Sequence, residues 1–121
     1  MIKYLIFISA KKGVSREEFR KYYETRHAPL SQRLFPQCTD YRRNYFDPAK
    51  DVMRGQGFDF DVVTEMWFET ERAYEEFKEA VKDPDVMAQV FADEKNFMDP
   101  DSVRILVVDE QRSPPSGYRP T

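Results

Sequence analysis

His27 is the one histidine in a chain of 121 residues that also holds one cysteine and one tryptophan. Imidazole titrates near neutrality and can give or take a proton in catalysis. Any imidazole chemistry in a subunit therefore rests on His27. The carboxylates placed to assist it are Asp61 and Glu65. They alternate with apolar residues in the run from Phe60 to Phe68 and share one strand face with Val63 and Trp67. A carboxylate on a covered sheet face is costly unless paired. One of the two could orient the imidazole or hold substrate. The other reading leaves Asp61 at the strand mouth in solvent and pairs Glu65 with an arginine, for which Arg42, Arg43 and Arg104 are available. Tyr22, Tyr23, Tyr41, Tyr45, Phe46 and Trp67 could line an aromatic pocket with a few polar tips, or be plain core. His27 also has a structural reading, as a residue whose charged form suits a helix C-terminus.

Composition removes other chemistries. Nineteen basic residues against twenty-two acidic ones give a net charge of −3, the wrong sign for binding driven by phosphate contacts. One Cys forbids an intrachain disulfide. One His and one Cys make a zinc site of those ligands improbable within a chain. Cys38 has no helix N-terminus or histidine near it in sequence and reads as inert. There is no Gly-rich phosphate loop and no dinucleotide fingerprint. No run approaches the ~18 apolar residues of a membrane span. The apolar run at residues 2–8 leads into Lys11-Lys12-Gly13 rather than a cleavage site, so it reads as a strand and the protein as cytoplasmic.

The elements that must position these residues follow from periodicity. Residues 2–9 form a strand with Ile2, Tyr4, Ile6 and Ile8 on one face and Leu5 and Phe7 on the other. Ser15 and Glu18 make a capping box, with Val14 and Phe19 as its hydrophobic staple. The helix they open runs to about Arg26 with Phe19, Tyr22 and Tyr23 inward. Pro29 disfavours helical geometry at Ala28, so the helix is expected to end near His27, with a connector over 30–37. A strand follows over 39–46, then a mobile loop over 47–57, then the strongest strand over 60–68. A second helix starts near Thr70. Asp83-Pro84 opens a short one with Val86, Met87, Val90 and Phe91 inward. The last strand covers 103–109. One domain, 1–112, is thus expected, followed by an extended or disordered tail, 113–121.

The order is βαββαβ, which predicts an α+β, ferredoxin-like fold: an antiparallel four-stranded sheet with helices on one face. Yet the first, third and fourth strands carry apolar residues on both faces. A second copy of the sheet is the simplest cover for the other face, so a homodimer is expected.

The run Gly13-Val14-Ser15-Arg16-Glu17-Glu18-Phe19, closing on His27-Ala28-Pro29-Leu30, resembles the opening signature of the EthD-domain family. Phe60-Asp61-Val62-Val63-Thr64-Glu65-Met66-Trp67-Phe68 resembles that family's central strand. Asp93-Glu94-Lys95-Asn96-Phe97-Met98-Asp99 resembles a late segment of it. The resemblance covers roughly residues 2–110. It implies a dimeric α+β barrel and a small-molecule enzyme of catabolism or polyketide tailoring. Relatives on this fold include cofactor-free monooxygenases, lactone isomerases, aromatic cyclases and dehydratases. In several of them a histidine at the His27 position faces the cavity as acid–base catalyst, and this weighs the reading of His27 toward function. The chain keeps His27, Asp61, Glu65, Asp93 and Glu94.

The leading expectation is a cofactor-independent enzyme acting on a small aromatic or carbonyl compound. His27 would abstract a proton, Asp61 or Glu65 would orient it or hold substrate, and the aromatic residues would wall the pocket. Isomerisation, cyclisation, dehydration or reaction with oxygen could follow. One alternative is an oxidoreductase or monooxygenase, in its haem-using form with His27 as axial ligand. Another is a non-catalytic ligand-binding protein. The expected partners are a second copy of the chain and a small-molecule substrate, with no nucleic acid, membrane, metal or cofactor.

Overall fold

A computed structural model describes residues 1–50, 52 and 58–121. Strand β1 (Ile2–Ile8) pairs antiparallel with β3 (Val62–Phe68) on one side and β4 (Arg104–Val108) on the other; β2 (Asp40–Tyr45) pairs with β3. The sheet order is β2-β3-β1-β4. This is the ferredoxin-like arrangement. The expected mobile loop falls partly on residues 51 and 53–57, which lie outside the described residues; its start forms a short 3₁₀ turn, Pro48–Lys50.

The alternation in β3 sets which side chains meet the helices. Val62, Thr64, Met66 and Phe68 are buried, while Val63, Glu65 and Trp67 point to the other face. Register places Tyr4, Ile6 and Ile8 of β1 beside the buried set and Lys3, Leu5 and Phe7 beside the outer one. Strand β2 carries charges on both faces because it lies at the sheet edge. On its helix side Arg43 clasps both oxygens of Glu24, at 2.6 and 2.9 Å, a bidentate geometry that suits a guanidinium.

Helices α3 (Glu71–Ala80) and α4 (Pro84–Glu94) start at Thr70 and Asp83, whose side chains accept from backbone N–H groups of the first turn. Helix α1 (Arg16–Tyr22) starts at Ser15, whose Oγ accepts from Glu18 N–H at 3.1 Å. Gly13, at φ +88°, closes the preceding turn in a conformation that other residues rarely adopt.

The expected helix stop at His27 is corrected by the structure. The chain passes through a π turn (Tyr23–His27) and continues as α2 (Ala28–Leu34). Ala28 N–H reaches back to Tyr23 C=O, five residues away. Pro29 falls in the first turn of α2, at the junction where the π turn has already broken the α ladder, so its missing N–H is tolerated. The expected connector over 30–37 is therefore helical as far as Leu34.

Two apolar clusters fill the space between helices and sheet. One gathers Ile8, Phe19, Tyr23, Val62, Phe97 and Met98; the other gathers Phe35, Met66, Phe68, Phe77 and Val90. Each fully buried aromatic of this kind contributes roughly 1.5–3 kcal/mol by leaving water. Residues 109–121 form no regular structure. Among the described residues, no helix is long and apolar enough to cross a membrane.

Candidate active site

His27 closes the π turn and is only 7% exposed. Its ring sits against Phe97, with centroids 5.0 Å apart, and edge-on to Tyr23 at 5.4 Å. The widened turn carries the ring inward, toward the C-terminal end of α4. There Nδ1 lies 2.8 Å from Asp93 Oδ2. The second carboxylate oxygen accepts from Tyr22 O–H at 2.6 Å, and Tyr22 in turn accepts from the Asn96 amide at 2.8 Å. An ionised carboxylate can only accept. Nδ1 therefore carries the hydrogen and Nε2 the lone pair. Nε2 has no hydrogen-bond partner among the described residues.

Two opposing effects act on the imidazole. Burial disfavours its charged form, and Asp93 favours it; burial is the larger, so the pKa lies below the ordinary 6.5. At pH 7 the ring is a neutral base with a fixed tautomer, and a carboxylate stands ready to stabilise the imidazolium once it forms.

The ring borders a cavity of about 260 Å³ where the two apolar clusters meet. Ile6, Phe35, Met66, Phe77, Val90 and Met98 are among its walls. Its polar points are few: His27, Glu94, Ser31, and the phenols of Tyr4, Tyr23 and Tyr41. Tyr23 O–H is held by Thr64 Oγ1 at 2.7 Å and lies 3.2 Å from the Tyr41 oxygen. Burial drives the Tyr23 pKa far up and that of Tyr4 to about 12, so both phenols stay neutral. Glu94 is pushed up to about 7, first by burial and then by the Asp93 charge. No Lys or Arg lines the cavity. A mostly apolar cavity of this volume, at the lower end of the ~300–1,000 Å³ typical of ligand sites, suits a compact neutral compound and is narrow for a porphyrin. Among the described residues, no group of three or more His, Cys, Asp or Glu is placed to hold a metal ion.

The structure divides the residues expected to form the site. Tyr23 and Tyr41 join His27 on the cavity, and Tyr22 joins through Asp93. Asp61 and Glu65 do not reach the imidazole, which corrects the expectation that one of them orients it. Asp61 Oδ2 accepts from Ala10 N–H at 2.7 Å, and its other oxygen lies 3.9 Å from Arg16, so it ties the end of β1 to its neighbours. Glu65 is on the outer sheet face, paired with Lys3 at 2.8 Å and with the Asn44 amide at 2.9 Å. Trp67 lies on the same outer face beneath Lys3, and Tyr45 is spent on Glu24. Cys38 is protonated, its thiol pushed up by burial.

Asp93 and Glu94, which the family resemblance marks as kept, were not among the residues expected to act with His27. Helical spacing carried a signal for Glu94. Glu94 follows Met87 and Val90 at i+7 and i+4, on the apolar side of α4, and a carboxylate on that stripe must meet either a partner or a cavity.

Residues 11–101 match the model of the EthD domain, most of the chain. The chain belongs to the EthD domain family. No curated protein matches it at significant similarity. Among solved structures, it is similar to an EthD-like protein from Ralstonia eutropha, with 19% identity, 93% of this chain and 95% of that chain covered, and a TM-score of 0.67. An EthD family protein from Bacillus halodurans is 18% identical over 92% of this chain and 100% of that one, with a TM-score of 0.60. SnoaB, a cofactor-independent oxygenase from Streptomyces nogalater, is 11% identical over 95% of this chain and 97% of that one, with a TM-score of 0.58. At these identities the likeness establishes the fold of this EthD domain and no more.

Proposed function

We propose that this EthD-domain protein is a cofactor-independent acid–base enzyme acting on a small, uncharged carbonyl or phenolic compound, with His27 as the base. The observation that carries the reading is the 2.8 Å contact from His27 Nδ1 to Asp93, which leaves Nε2 free on an apolar cavity. Nε2 takes a proton activated by a neighbouring carbonyl or phenol. The charge that forms on the ring faces the Asp93 carboxylate, held in place by Tyr22. Such assistance is worth on the order of 10²–10⁴ in rate. That SnoaB works without a cofactor on a related fold is consistent with this chemistry.

The same reading takes the working form as a homodimer joined through the outer sheet face. Leu106 on that face is 56% exposed. A second copy supplies the cover.

The test of function is proton exchange with D₂O on a panel of enolisable ketones and phenols, followed by NMR. Exchange above background is expected for the native enzyme and is lost in His27→Ala. Equal exchange by both proteins sinks the role of His27.

A further inference from the structure

Glu94 is the one acidic side chain on the wall of the His27 cavity. No hydrogen bond or ion pair to its carboxyl exists among the described residues, although its neighbour Asp93 has two partners. Adjacent residues on a helix point about 100° apart. Asp93 thus holds the Nδ1 edge of the ring from one side while Glu94 reaches the space beyond it. The titratable groups facing that space are Tyr23 and His27 from the π turn, Tyr4 from β1 and Tyr41 from β2, all neutral at pH 7. From β3, α3 and β4 only apolar side chains reach it. The one nearby charge is that of Asp93, which repels a second anion.

We propose that Glu94 enters the reaction as a protonated carboxylic acid, the general acid working opposite His27, and that the substrate is a compact enolisable ketone without charge. The proposal rests on His27 as the base. A cavity without a cation cannot compensate a carboxylate or phosphate brought into it, so anionic substrates are excluded. A neutral carbonyl oxygen can instead accept from the Glu94 O–H. His27 Nε2 then removes the α-proton. The C–H electron pair becomes the C=C bond, the carbonyl π pair takes the Glu94 proton, and an enol results beside imidazolium and carboxylate. In the return step imidazolium gives its proton to carbon and Glu94 recovers the hydroxyl proton. In a β,γ-unsaturated ketone the same steps pass through a dienol, and delivery of the proton to the γ-carbon gives the conjugated isomer; no oxidant or reductant is consumed. A Glu94 pKa of about 7 leaves enough acid present at neutral pH for this role.

The experiment follows exchange of the α-hydrogens of 2-tetralone in D₂O by NMR, for native enzyme, Glu94→Gln and His27→Ala across the neutral range. The native rate is expected to fall as Glu94 ionises. Glu94→Gln is expected to be slower by on the order of 10² and to lose that alkaline fall. Glu94→Gln as fast as native, beside an inactive His27→Ala, overturns the role of Glu94 and leaves His27 standing. Native-like exchange in both variants overturns both. No exchange by the native enzyme overturns the ketone class. The Glu94 carboxyl carbon, followed by ¹³C NMR in the native protein, gives a measure that needs no variant: titration near neutrality supports the proposal, and titration at the ordinary 4.5 ends it.

Discussion

His27 and Asp93, 66 residues apart in sequence, meet at 2.8 Å because a π turn and the last turn of α4 converge on one point. Because this is the only histidine, its ring protons are unambiguous by NMR. The imidazole is expected to titrate below 6.5, since burial outweighs the pull of Asp93. Asp93→Asn removes the charge that favours imidazolium, so the midpoint should move lower still. Activity should fall by on the order of 10²–10⁴, because the tautomer is no longer fixed and the imidazolium no longer stabilised. A midpoint unmoved by Asp93→Asn contradicts the pairing.

Glu94 makes stability depend on pH in a direction opposite to most carboxylates. Unfolded, it ionises at its ordinary 4.5; folded, it keeps its proton up to about 7. Between those values the folded state binds more protons, so its stability is full below 4.5 and declines as pH rises through the folded value. After allowance for the part of the group that solvent reaches, the loss is about 2 kcal/mol. Glu94→Gln is expected to flatten this part of the curve and to be the more stable protein at pH 8. Urea denaturation across the pH range measures it, and parallel curves for the two proteins refute it.

Much of the fold was legible because local signals agreed with one another. Ser15, Thr70 and Asp83 cap helices as their positions suggested, and the alternation in β3 sorted its residues correctly. Two things were hidden. Pro29 normally ends a helix, but here its missing N–H coincides with the π turn and costs little. The partner of His27 was also hidden, because period-two spacing ties Asp61 and Glu65 to one strand face without saying that the helices cover the other. The carboxylate that orients the ring comes instead from a distant helix, and only the packing of α4 on the π turn brings it there.

Asp61 therefore makes a separable prediction. Its side chain satisfies the Ala10 N–H at 2.7 Å. Asp61→Ala leaves that donor without its acceptor and should cost about 1–3 kcal/mol in chemical denaturation. The His27 titration should not move. A shifted imidazole midpoint in this variant returns Asp61 to the site.

The outer sheet face carries the last prediction. Leu106 on β4 faces outward beside Leu5 of β1, and Trp67 lies on the same side. Burying Leu106 in a symmetric contact removes it from water twice, once in each copy. Replacing it with Lys forfeits roughly 1.5–3 kcal/mol per copy and adds two like charges to the interface. Sedimentation is expected to give twice the 14.4 kDa subunit mass for the native chain and a concentration-dependent shift toward the single subunit for Leu106→Lys. The fluorescence of Trp67, the only tryptophan, should move to the red as the copies part, because the half-buried side of its ring then meets water. A native protein that sediments as a single subunit at every concentration, with unchanging emission, rules out this face as the dimer contact.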